Sequence, residues 1–247
     1  MKDSLCQNEA HLWVVRPERL TAPELLRSYE ALLTKDEREE RDRFRFAKER
    51  HRFLVTRALV RSVLSRYVDV PPDRWRFVAN QYGRPEVAEP RLVPPLRFNL
   101  SHTNGLIVCL VAIGREVGVD VEERQRSADF LSLAHDYFSP FEIAALSSLP
   151  RREQVDRVVM YWTLKESYIK ARGMGLAIPL AQFSFDLDDP SGRGIRIFID
   201  PRLDDDPKSW QFRLLSYGGG HFIAVSIRRR DGDILSLRLR EIVPMRD

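Results

Sequence analysis

At 247 residues, with 43% hydrophobic and 31% charged side chains, the chain has a globular composition, which excludes disordered, collagenous and coiled-coil classes. Forty basic against 36 acidic side chains leave a formal net charge of +4. That suits anionic small molecules or acidic partner proteins, whereas interleaved charge such as KDEREERDRFRFAKERHR at Lys35 to Arg52 argues against a nucleic-acid surface. The longest apolar run, Leu106 to Ile113, has eight residues where a membrane helix needs about 20. The acids Asp3 and Glu9 stand where a secretory signal carries positive charge, and Cys6 and Cys109 support neither a disulfide framework nor a thiolate metal site. A cytoplasmic protein with no membrane or nucleic-acid partner is expected.

In chain order, helices are predicted at Pro23 to Leu33, with Thr21 as a cap, and at Asp36 to Tyr67, whose C-terminal half is the part expected to pack deeply. After Val70-Pro71-Pro72-Asp73, a strand at Trp75 to Val78 leads into a loop from Asn80 to Pro95. Leu96 to Leu100, Leu106 to Ile113 and Val117 to Glu122 read as strands separated by Asn104-Gly105 and Gly114. Ser139-Pro140-Phe141-Glu142 has the form of a capping box, so a helix starts at Pro140, and another runs from Arg152 to Arg172 and stops at Gly173. Five strand-like runs follow, at Phe183 to Leu187, Ile195 to Ile199, Phe212 to Ser216, Phe222 to Ile227 and Leu235 to Leu239. Helices first and strands after, twice over, predict two α+β halves meeting near residues 115 to 125.

Three segments carry chemistry. In Gly118-Val119-Asp120-Val121-Glu122, strand alternation puts Asp120 and Glu122 on one face with Cα atoms roughly 6.5 to 7 Å apart, a spacing that lets both reach one hard cation. In Trp162 to Lys170, the side chains of Trp162, Glu166 and Lys170 recur every four residues on one helix face, with Lys165 one step around the cylinder. Phe98 to Thr103 (FNLSHT) ends a strand at a turn, a common place for a ligand-facing hydroxyl and imidazole, but it has no nucleophile elbow or third triad member. Taken singly, each segment also has an ordinary structural reading: a solvated edge, a surface ion pair, a turn cap.

Taken in order, Gly83-Arg84-Pro85, FNLSHT, GVDVE and WTLKES with Lys170 resemble the signature of 4′-phosphopantetheinyl transferases of the large Sfp-type branch, over roughly Thr34 to Pro179. The resemblance implies an α+β fold of two similar lobes related by a pseudo-two-fold axis, with the active site at their interface. Residues 1–115 would form the lobe that reads the coenzyme A nucleotide, and 116–247 the lobe of metal and carrier docking. It implies a monomeric enzyme that transfers the phosphopantetheine arm of coenzyme A to a serine of an acyl or peptidyl carrier protein, releasing adenosine 3′,5′-bisphosphate, in polyketide or nonribosomal peptide assembly. It assigns Asp120, Glu122 and Glu166 to Mg²⁺, with Mn²⁺ as an alternative, and gives Glu166 and Lys170 catalytic roles. Glu166 is left as ligand, general base or both. To coenzyme A it assigns Arg57, Arg84, Pro85, Ser101, His102, Lys165 and Lys170, and to carrier docking the segment 173–178 with Met174 and Leu176.

Two departures stand out: Gly-Arg-Pro replaces the family's Gly-Lys-Pro, and Glu37 and Glu40 replace lysines that some relatives use for the 3′-phosphate. Arg38, Arg41 and Arg52 are the nearby cations. The competing readings are a metal-dependent phosphoester hydrolase and a basic nucleic-acid-binding protein.

Overall fold

In the computed structural model, which describes residues 3–187, 194–230 and 232–246 (backbone only at Asp129 and Leu176), strand β1 (Glu9–Val15) is buried along its whole length because both its faces are covered. It lies inside a four-stranded sheet of order β11-β1-β5-β4, where β4 is Leu96–Thr103, β5 is Leu106–Ile113 and β11 is Ser236–Glu241. Trp13, Val15, Phe98, Ile107, Cys109 and Val111 pack with helices α1 (Pro23–Leu32) and α3 (Ala47–Ser65). The alternate residues Ala10, Leu12, Val14, Leu106, Val108 and Leu110 pack instead against a second sheet of order β6-β10-β9, formed by Val117–Glu123, His221–Arg228 and Trp210–Tyr217. On that sheet's far side lies α6 (Arg151–Arg172), flanked by α4 (Ser127–Tyr137) and α5 (Pro140–Ser148). Two hairpins complete the mixed α+β fold: β2 (Arg76–Ala79) with β3 (Pro85–Glu89), and β7 (Phe183–Asp186) with β8 (Arg196–Ile199). No helix among the described residues is long and apolar enough to cross a membrane.

Several expectations need correction. The helix predicted over Asp36 to Tyr67 is two, α2 (Lys35–Arg43) and α3, because Arg50 donates to the carbonyls of Phe44 and Arg45 and the Phe44 ring packs on Phe53. Thr21 caps nothing; Ala22 precedes Pro23 without a side-chain cap. The expected loop at Asn80 to Pro95 contains β3, and α4 arises where no helix was predicted. Strand β11 pairs in parallel with β1, so the first sheet draws one strand from beyond residue 115.

Gly118 positions the site. On β6, Val117, Val119 and Val121 enter the core between the sheets, while Gly118 and Asp120 turn toward α6. A Cβ on Gly118 would lie 2.0 Å from Ser167 O and 2.4 Å from Ala171 N, so only hydrogen there lets strand and helix touch.

Asp205 anchors the other side of α6. Its buried carboxylate accepts from Tyr168 Oη, Trp210 Nε1 and Arg172 Nη1, each at 2.8 Å, and from Arg228. Burial alone would raise its pKa, but the Tyr168 and Trp210 hydrogen bonds and the two guanidinium charges hold it below the usual carboxylate value. A depressed folded-state pKa contributes stability above the unfolded value and loses it as pH falls through the folded one. Asp205→Asn is therefore expected to cost about 3 kcal/mol at neutral pH. In thermal melts the deficit should shrink below about pH 4, where the parent loses the same contribution; an equal deficit at both pH values would show that Asp205 contributes no charge-dependent stability.

Candidate active site

A cleft of about 740 Å³ opens between α3, β4, β6 and α6. Thr56, Arg57, Phe53 and Arg52 line it from α3, Ser101 and His102 from β4, Asp120 and Glu122 from β6, and Trp162, Glu166 and Lys170 from α6. The side chain of Asn99 accepts a hydrogen bond from the Val119 amide at 2.9 Å, which stitches β4 to β6 and brings Ser101 to Asp120. Asp120 is buried; its Oδ1 accepts from Ser101 Oγ at 2.8 Å and from Lys170 Nζ at 2.6 Å. Its Oδ2 is buried without a hydrogen-bond partner.

The neighbouring carboxylates feel this charge. Burial, and next the Asp120 carboxylate, push Glu122 up to about 7 although Arg126 donates to it at 2.8 Å. Glu166 is raised by the same two causes. Among the described residues no three His, Cys, Asp or Glu are already gathered as a metal cage, and Lys170 takes one oxygen of Asp120.

Arg52 and Arg57 also line the cleft, beside the acids Glu40 and Glu49. Desolvation and the Arg52 guanidinium hold the His102 imidazole below its ordinary value. Arg57 lies over the Phe53 ring and pairs with Glu37 and Glu40 at 3.5 Å each, while Glu37 also binds buried Arg61 at 2.8 Å. Glu37 and Glu40 thus neutralise part of this positive charge. Arg52, only a neighbouring cation in the sequence, lines the cleft. It shares a helix face with Glu49, Phe53 and Thr56, a spacing of three and four residues that could have revealed it.

Arg84 and Pro85 line a second cavity, of about 300 Å³, which shares Leu100, Glu166 and Lys170 with the first. The Arg84 guanidinium is engaged by Glu116, Glu86 and the carbonyl of Ala171.

Lys165 is a correction, for it reaches neither cavity. Fully buried, it pairs with Glu142 at 2.7 Å and donates to the carbonyls of Leu180 and Phe183 at 2.8 and 2.6 Å. One step off the Trp162, Glu166 and Lys170 stripe, it points into the core. Met174, expected to be exposed, is half-buried against the C-terminal core, and the Leu176 side chain lies outside the described residues.

Two family models match successive parts of the chain: "4′-phosphopantetheinyl transferase, N-terminal" over residues 21–114, and "4′-phosphopantetheinyl transferase superfamily" over 116–226. The 4′-phosphopantetheinyl transferase HetI of Nostoc sp. is 37% identical over 175 residues, 70% of this chain and 73% of its own. The chain belongs to the 4′-phosphopantetheinyl transferase family. This transferase is also 31% identical over 217 residues to a phosphopantetheinyl transferase of Thraustochytrium sp., covering 83% of this chain and 74% of the relative. To the 4′-phosphopantetheinyl transferase Sfp of Bacillus subtilis it is 32% identical over 154 residues, 62% of this chain and 66% of the relative. The cleft of the transferase lies where the segments matched by the two family models meet, with β4 in the first and β6 and α6 in the second.

Proposed function

We infer that this transferase moves the 4′-phosphopantetheine arm of coenzyme A onto a serine of an acyl or peptidyl carrier protein and releases adenosine 3′,5′-bisphosphate. The observation that carries the reading is one cleft lined by Asp120, Glu122, Glu166 and Lys170 together with Arg52, Arg57 and His102. Such a cleft offers carboxylates that would hold a divalent cation for a pyrophosphate, and guanidinium and imidazole groups that would meet a nucleotide phosphate.

Asp120, Glu122 and Glu166 would hold Mg²⁺, or Mn²⁺ in its place. An orphaned buried oxygen on Asp120 and two carboxyls pushed toward protonation are what a hard divalent cation relieves, and all three donors are oxygens. When bound, the ion neutralises charge on the pyrophosphate. Lys170 places its ammonium beside the reacting phosphate, aimed by Asp120 and Ser101. Glu166, on the cleft wall beside Lys170, takes the proton of the attacking serine. The serine oxygen bonds to the β-phosphorus, the bond from that phosphorus to the bridging oxygen breaks, and the nucleotide leaves. The second cavity, beside Pro85, receives the adenine.

In this reading α3 on the first sheet and α6 on the second belong to similar lobes related by an approximate two-fold axis, with the chain crossing between them near residue 115 and β11 returning to the first. The carrier approaches by segment 173–178. A monomer in a reducing cytoplasm, where Cys6 and Cys109 stay free, completes the reading. The resemblance to the large branch of the family favours service to polyketide or nonribosomal peptide assembly.

The deciding experiment incubates the protein with coenzyme A, Mg²⁺ and an apo carrier protein and follows intact mass. The carrier should gain one phosphopantetheine arm. An unchanged carrier with coenzyme A cleaved would favour the hydrolase reading.

A further inference from the structure

The last turn of α6 carries Lys170 and ends at Gly173, and the β2–β3 hairpin closes on it. Arg84 Nη1 donates to Ala171 O at 2.9 Å and to Glu116 Oε2 at 2.6 Å, while Nη2 donates to Glu86 Oε1 at 2.7 Å. Asn80 Nδ2 donates to Gly173 O at 2.8 Å, and its Oδ1 accepts the backbone N–H groups of Tyr82 and Arg84, which shapes the turn that presents Arg84. A Cβ on Gly173, where φ is +66°, would lie 2.6 Å from Arg84 Cζ, so the guanidinium is seated against the helix end. The last carbonyls of a helix lack donors of their own and concentrate negative partial charge; a guanidinium there meets both needs. From another side Gly118 lets β6 touch Ser167 O and Ala171 N. The turn is gripped between them, and Lys170 projects from it to Asp120.

We propose, resting on the transferase reading, that Arg84 is a positioning residue for the reaction: its planar fork clamps the end of α6 so that Lys170 and Glu166 are held at the reacting phosphate. An ammonium cannot reproduce a fork that spans Glu86, Glu116 and Ala171 O together, which gives the Arg of Gly83-Arg84-Pro85 a task of its own.

The test measures kcat, coenzyme A affinity by calorimetry and backbone hydrogen exchange in Arg84→Met, Arg84→Lys and Asn80→Ala, each alone and combined with Lys170→Ala. Arg84→Met should lower kcat about tenfold or more, a larger change than any in the Kd for coenzyme A. Arg84→Lys should restore only part of the rate. With Lys170 already removed, the Arg84 change should cost little more, the signature of one residue acting through another. A tenfold weaker Kd with unchanged kcat would make Arg84 a ligand contact and overturn the proposal, as would losses at Arg84 and Lys170 that simply multiply. If Arg84→Met does not fold, Arg84→Lys and Asn80→Ala carry the same cycle. Hydrogen exchange at residues 169–174 should quicken in the variants whatever the reaction is, and unchanged exchange there overturns the clamp. A parent protein that loads no carrier, with exchange altered as expected, faults the transferase reading and leaves the clamp standing.

Discussion

Asp120→Ala is expected to lower kcat/KM for coenzyme A by at least about 10³-fold, the largest effect of any single change in the cleft. One carboxylate does several jobs there. Its Oδ1 fixes Ser101 and Lys170, its Oδ2 has no protein partner, and its charge is the second cause, after burial, of the raised pKa of both Glu122 and Glu166. On the proposed reading, removing it takes away a cation ligand, and it releases the ammonium. The fold should survive, because the side chain lies at a cleft wall and not in an apolar core; melting curves would confirm that. Excess EDTA should silence the parent in the same way, and added Mg²⁺ should restore it. Parent-like transfer by Asp120→Ala, or by the parent in EDTA, would remove the metal assignment.

Lys170→Ala should lower kcat by about 10²- to 10³-fold, as loss of one donor to a developing oxyanion does elsewhere. Its ammonium is bonded to Asp120 and Ser101 and is only partly exposed, so it is already aimed before substrate arrives. Because the benefit grows as negative charge develops in the transition state, KM for coenzyme A should change far less than kcat. Varying coenzyme A and carrier in turn would separate the two. A raised KM with an unchanged kcat would assign Lys170 to ground-state binding.

Local signals in the sequence were reliable where the structure is locally determined. The capping box at Ser139 and Glu142 starts α5 at Pro140, and strand β5 spans the apolar run Leu106 to Ile113. The strand alternation that put Asp120 and Glu122 on one face survives in a cleft they share with Glu166 and Lys170. Failures came from partners distant in sequence. Nothing between Phe44 and Phe46 marks a helix break, since the Arg50 side chain that terminates α2 belongs to the next helix. Helix α4 has no side-chain cap to announce it. Lys165 looked like a ligand because its motif does, yet its partner Glu142 lies on another helix, and only packing brings them together. The neutralisation of Arg57 by Glu37 and Glu40 is likewise a contact between helices that charge counting along the chain does not reveal.

The parallel pairing of β1 with β11 sets the order in which the molecule is completed during synthesis. Strand β1 leaves the ribosome before the other strands of its sheet and finds its antiparallel neighbour β5 about a hundred residues later, but its other edge stays open until the chain has grown past Glu241. At roughly 5 to 20 residues per second, that edge waits on the order of ten to fifty seconds. Until then a fully apolar-flanked strand offers unpaired backbone to any passing chain, the usual opening for misassembly. Charged Arg238, Arg240 and Glu241 on β11 then form the outer rim of the finished sheet, so the strand that arrives last is also the one that discourages further addition.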